Sequence, residues 1–326
     1  MKRLRLAYTK ILSAQHKKYL HRSTVMQIFS GIILLLVVIN IAGCEKNFDI
    51  DVEPNQPALV VEAYITNHTS DFNYVVLSRS RSYFSDSFQS APVPNASVFI
   101  TEGECVNNTY QWNEASKVKL TELNISRIPM NFRNGVYFDP KLVTNPSRAL
   151  RGKFGKSYLL EISEGENHYS AITTLLNPVK LDSVTAGYPY TDAESGNKTR
   201  FRVTLHYKDP DTLNNTQLYY SSLSGDSKKF GWGSIFRSRS FGTDDVTNGQ
   251  YIHLTPSRGF LSGDTVTTYM ASVTRDVHTF WQSFNSARDN NGPFATPVTL
   301  NSNIIGNNVT GCFSGLTLNS RTIIVR

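Results

Sequence analysis

Cys44 is the residue best placed in this chain for covalent chemistry. It follows Ile41-Ala42-Gly43, and the apolar run Ile32-Ile33-Leu34-Leu35-Leu36-Val37-Val38-Ile39 ends just ahead of that triplet, with only Asn40 between. Small side chains before a cysteine admit a peptidase, and the thiol is the atom that accepts a lipid. Upstream stand Lys2, Arg3, Arg5, Lys10, Lys17, Lys18 and Arg22, with no acidic residue among them. A basic leader, a short apolar segment and small residues ending at a cysteine form the pattern of a bacterial lipoprotein signal. Residues 1–43 are therefore expected to be removed, leaving Cys44 as an acylated first residue, palmitate among its chains. The largely apolar stretch from Ile28 to Ala42 is shorter than the roughly 20 residues that cross a bilayer, which favours a cleaved segment over an anchor helix. Several acyl chains on one cysteine exceed the two signals that stable membrane attachment requires.

Other chemistry is harder to find. The formal net charge of +7 is carried entirely by the leader, so the remainder is balanced and lacks the basic excess of a nucleic-acid binder. Cys105 and Cys312 are left over. Outside the cytoplasm they could pair, but they lie far apart in sequence, and two buried free thiols are the plainer expectation. His68, His168, His206, His253 and His278 show no metal-ligand spacing. His206 falls on the polar face of a strand, and His278 reads as part of a solvated helix face. Gly155-Lys156-Ser157 fails as a phosphate loop, because Leu150 occupies the place of the first glycine and a strand follows. Around Ser234, Trp232 and Phe236 stand where a nucleophile elbow needs glycines. Asp244-Asp245 with Asn248-Gly249 reads as an acidic turn without calcium-loop spacing. The expectation is a protein without metal or cofactor and not an enzyme, although a carboxylate pair assembled only in three dimensions stays open.

The elements that would position any site are mostly strands. Residues 44–56 form a polar, partly acidic tether, and acidic residues just after the cysteine resemble surface-export signals. Leu59–Ile65, Tyr74–Leu77 and Ala96–Ile100 are rich in β-formers. Tyr158–Ile162 and His168–Ile172 flank Glu164-Gly165-Glu166-Asn167 as a hairpin. These features predict an Ig-like β-sandwich over residues 57–178, with a boundary at Asn177-Pro178. A second β-rich domain is expected over 179–326. In it Phe201, Val203, Leu205 and Tyr207 share one strand face, and Arg202, Thr204 and His206 share the other. One segment departs from the β habit: Val277, Phe280, Trp281 and Phe284 recur at helical spacing, predicting an amphipathic helix over 274–289 with Thr274 as N-cap. The fold class expected is mainly β with one helix near the C-terminus.

Aromatic side chains in Ser- and Gly-rich loops supply the candidate contacts. Tyr83, Phe84, Tyr188, Tyr190, Trp232 and Phe236 lie outside the core-pattern positions, where exposed rings suit recognition of partners or sugars. The competing reading folds these rings back onto the sandwich.

Three groups of residues together resemble a known family. They are Leu59-Val60-Val61-Glu62-Ala63-Tyr64-Ile65-Thr66-Asn67 with Pro92-Val93-Pro94-Asn95-Ala96-Ser97-Val98, then Asp209-Pro210 before Leu218-Tyr219-Tyr220, and the closing Asn291-Gly292-Pro293-Phe294, Asn303-Ile304 and Gly311-Cys312-Phe313-Ser314-Gly315. They resemble the Bacteroidota outer-membrane lipoproteins of domain of unknown function 4249. The resemblance implies location and company: a lipid-anchored outer-membrane protein, facing the cell surface, beside a TonB-dependent transporter in nutrient uptake. It carries over no catalytic residue. The expected role is a non-catalytic binding or accessory subunit, with a structural scaffold or adhesion protein of the envelope as the alternative.

Overall fold

Runs of β-branched and aromatic residues separated by Asn, Gly and Pro turns leave this chain little choice but strands. A computed structural model of the protein describes residues 56–81, 91–122, 134–193, 196–212, 216–224, 240–243, 248–290, 296 and 298–326. The expected mainly-β fold with one long helix near the C-terminus is what it shows. In the first half the strands are β1 (Leu59–Thr66), β2 (Tyr74–Arg79), β3 (Ala91–Pro92), β4 (Ser97–Val106), β5 (Thr109–Trp112), β6 (Val118–Glu122), β7 (Val136–Phe138), β8 (Ser157–Glu164) and β9 (Asn167–Thr174). The second half adds β10 (Leu181–Asp192), β11 (Lys198–Lys208), β12 (Thr216–Leu223), β13 (Ser240–Thr243), β14 (Tyr251–Leu254), β15 (Gly259–Phe260), β16 (Thr265–Val273) and β17 (Val309–Ile324).

Two sheets result. The larger runs β13-β12-β16-β17-β1-β2-β7-β6-β4-β8-β9, with β3 beside β2 and β5 beside β4; the smaller runs β10-β11-β14, with β15 beside β11. The larger sheet curls until β9 returns next to β17. There the Gly315 amide donates to Thr173 Oγ1 at 2.9 Å, and Ser170 exchanges backbone bonds with Ile305. Val61, Ile65, Leu77, Ile100, Leu160 and Phe313 fill the enclosed core. The β8–β9 hairpin closes as expected through Gly165, whose φ of 58° suits a tight two-residue connection.

β17 joins the halves. Val309–Leu316 pair in parallel with β1, and Thr317–Ile324 pair antiparallel with β16. Gly311, at φ 130°, lies so close to β1 that an added Cβ would collide with the Val61 carbonyl. Along the other edge of this stretch, side chains take the place of a neighbouring strand. The Phe313 amide donates to Asn303 Oδ1 at 2.8 Å, and Asn303 Nδ2 donates back to the Phe313 carbonyl at 3.0 Å. Further on, the Leu318 amide donates to Asn67 Oδ1 at 2.8 Å. Buried backbone groups need partners, and these amides supply them.

The boundary expected at Asn177-Pro178 is not a loose linker. Thr317 Oγ1 donates to the Leu176 carbonyl at 2.6 Å, and Arg321 Nε to the Leu181 carbonyl at 3.1 Å. Residues 54–326 form one compact unit. The cores nevertheless remain distinct: Val203, Leu205 and Tyr207 on the inner face of the smaller sheet pack against Tyr219, Val266 and Met270.

The helix spans Arg275–Asp289, as the aromatic spacing predicts. Thr274 holds the N-cap position, but its side chain makes no capping bond. Val277, Phe280 and Trp281 are buried against Tyr64, Leu218, Cys312 and Leu316, and the Trp281 indole donates to Ser314 Oγ at 3.0 Å. Two expectations need correction. His278 is only 4% exposed rather than on a solvated face, because the helix is sunk deeply enough to bury a flank of its stripe. Cys105 and Cys312 are both free; Cys312 is buried, but Cys105 is exposed on a strand beyond the curled core.

Trp281→Ala is expected to cost about 3–5 kcal/mol by leaving a cavity and removing the indole's bond to Ser314, read by urea denaturation. Gly311→Ala should cost about 3 kcal/mol or more. Gly155→Ala, also at positive φ but with open space around it, should cost only about 1–2 kcal/mol. Equal losses for the two glycine variants would mean that contact with β1 does not matter.

Candidate functional site

The outward face of the smaller sheet concentrates the polar and aromatic side chains with most chemical potential. β11 alternates, so its inward residues make core while Arg200, Arg202, Thr204, His206 and Lys208 point away. β10 carries a register shift between Ala186 and Pro189. That irregularity pushes Gly187-Tyr188 out of the ladder and accommodates a proline that has no amide to donate. Tyr188 is 95% exposed as a result.

Tyr190, two residues on, pairs with Arg200 across the strands and is half-buried. The guanidinium of Arg202 lies 4.7 Å from the centre of its ring, a cation–π contact. Its hydroxyl end lies over Gly259, where any side chain would collide with it. Arg200 is fixed below, its Nε 3.0 Å from Asp192 Oδ2 and its Nη1 donating to the Gly259 carbonyl at 3.1 Å. Tyr190 and Arg202 are thus held by packing, and Tyr188 projects freely beside them.

Farther along the same face, His206 on β11 stands directly opposite His253 on β14. Their Nδ1 atoms are 2.6 Å apart, and Thr185 Oγ1 lies 2.8 Å from His206 Nε2. The Tyr251 ring flanks His253 at 5.4 Å, and its hydroxyl donates to Asp182 Oδ2 at 3.0 Å. That bond is the main cause raising Tyr251 above the ordinary phenol range. Partial burial first, and the neighbouring His253 second, hold His206 below the ordinary imidazole range. At this separation one proton fits between the two Nδ1 atoms, and two imidazolium ions would repel.

Of the aromatic candidates, the structure places Tyr188 and Tyr190 together on one exposed surface. Cys44, Tyr83, Phe84, Trp232 and Phe236 lie outside the described residues. Sequence reasoning missed the histidine pair, having found no histidine beside another. The alternation in Tyr251-Ile252-His253-Leu254 marks His253 as outward, but only the β11–β14 register brings it to His206. It also missed Tyr110 and Trp112, whose rings stack at 5.3 Å and 9° on the hairpin of β4 and β5; Trp112 lies over Gly103, where a side chain would meet it. Among the described residues no three His, Cys, Asp or Glu side chains converge as a metal-ligand set, and no helix is long and apolar enough to cross a membrane.

The His206 shift has a stability consequence. The unfolded chain protonates near pH 6.5 while the folded one resists, so stability is full above that pH and declines as acidification approaches the lower folded value. Melting temperatures between pH 7.5 and 5 should fall less steeply in His206→Gln than in the wild type. Parallel slopes would mean that the pair is not coupled to folding.

No curated protein matches the chain. A family profile does match, across residues 45–322, and on that match the chain belongs to the family Domain of unknown function (DUF4249).

Proposed function

We propose that this protein is a lipid-anchored outer-membrane protein that serves as a non-catalytic binding or accessory subunit beside a TonB-dependent transporter in nutrient uptake. The observation that carries the binding role is the surface formed by Tyr188, Tyr190 and Arg202. An aromatic ring 95% exposed beside a packed ring and a guanidinium has the composition of a protein-recognition hot spot. The sheet beneath is backed by its own core, so little is lost in ordering the surface on contact. The membrane attachment rests on Cys44 and the leader before it, and the transporter company on the family resemblance.

A tagged protein recovered in mild detergent from native outer membranes should bring down a TonB-dependent transporter in near-equal amount. Tyr188→Ala and Arg202→Ala should each reduce that recovery while leaving the melting temperature within about 2 °C, as surface substitutions do. Cys44→Ala should release the protein from the membrane fraction. Recovery alone, or with envelope-assembly factors, would replace the transporter reading with a scaffold or adhesion role. Continued pelleting of Cys44→Ala after a carbonate wash would remove the lipid anchor.

A further inference from the structure

His206 and His253 do more than decorate a strand pair. Cross-strand residues on an exposed face usually direct their polar ends to water, whereas these two rings turn their Nδ1 atoms toward each other, 2.6 Å apart, with ring centres at 4.8 Å and planes at 70°. Both nitrogens are good donors to a metal in the neutral ring, and both are aimed at one small region of space. We propose that His206 and His253 form a two-imidazole site for a borderline divalent transition-metal ion, Zn2+, Ni2+ or Cu2+, its remaining positions open to water or to a ligand from a docked partner. The site stands independently of the transporter reading.

The geometry needs little adjustment. Two metal–nitrogen bonds of about 2.0–2.1 Å at a tetrahedral angle place the nitrogens about 3.3 Å apart. The rings must therefore part by several tenths of an ångström, a small side-chain rotation on a face where His253 is exposed. The backbone does not have to move, because the β11–β14 ladder already sets the two residues opposite each other. Thr185 Oγ1, 2.8 Å from His206 Nε2, occupies the place of an outer-shell partner that fixes ring orientation and leaves Nδ1 for the metal. Tyr251, against His253, limits the swing of the second ring. Binding takes no net charge from the protein: the proton shared between the two Nδ1 atoms moves to His253 Nε2, and the ion takes its place. The neutral imidazole is the coordinating form.

Imidazole pairs prefer Cu2+, Ni2+ and Zn2+ to Ca2+ or Mg2+, with Cu2+ tightest. The test uses the protein purified in detergent without a polyhistidine tag. Equilibrium dialysis against Zn2+ should show one ion per chain bound through the pair, at least tenfold weaker in His206→Gln and in His253→Gln. His168→Gln, an exposed histidine on β9 next to Ser163, should bind as the wild type does. With Cu2+, the electron paramagnetic resonance spectrum should carry coupling to two imidazole nitrogens, reduced to one in each glutamine variant. Circular dichroism without metal checks that the variants fold. If one does not, Thr185→Val keeps both rings and should weaken Zn2+ binding several-fold. A wild-type spectrum without imidazole coupling, or Zn2+ affinity unchanged in folded variants of the pair, overturns the proposal.

Discussion

The rest of this fold depends on the hydrogen bonding of β17. A strand that pairs in parallel with β1 over its first half and antiparallel with β16 over its second leaves backbone groups outside those two ladders that other partners must meet. In the interior, every such amide or carbonyl left unpaired would cost about 1–3 kcal/mol. Asn303, Thr173 and Asn67 meet that demand with side-chain bonds. Asparagine suits the task because its amide carries donor and acceptor on one rigid plane, as a peptide does. Gly311 and Gly315 complete the arrangement by leaving space for Val61 and Thr173. The helix then closes the remaining face, with Trp281 anchored on Ser314, which belongs to the same strand.

From that frame the smaller sheet gains its rigidity and its freedom. Its inner face shares a core with β12 and β16, and its first strand is tied through Leu181 to Arg321 of β17. Its outer face is therefore fixed in shape, and it carries the Tyr190–Arg202 stack and the exposed Tyr188. Tyr188 and His253 stand exposed there. These exposed positions, together with the order imposed on Tyr190 by Arg202 and Gly259, are what the proposed recognition at this face rests on.

Much was legible from residue order where a period carries the signal. The aromatic spacing from Val277 to Phe284 predicts the helix, and the alternation from Phe201 to Tyr207 separates core from surface. Glu164-Gly165-Glu166-Asn167 marks its hairpin. What escaped depends on partners remote in the chain. The local chemistry of Asn177-Pro178 gives no sign that Thr317 and Arg321, about 140 positions away, bond the flanking Leu176 and Leu181 carbonyls. His278 lies beside the aromatic stripe, so its burial depends on how deeply the helix sits, which periodicity does not encode. Cys105 looked like a core thiol by type, but β4 extends past the core and carries it into solvent.

The sequence by itself determined the local elements, their inward and outward faces, and the Cys44 pattern on which the membrane reading rests. Each of these is written in neighbouring residues. Tertiary structure alone decided that β17 would serve both halves, and that His206 and His253, 47 positions apart, would face each other. Strand register is the reason. A one-residue slip would turn every side chain to the opposite face, and that register is chosen by the combined burial of cores that no local stretch of sequence contains.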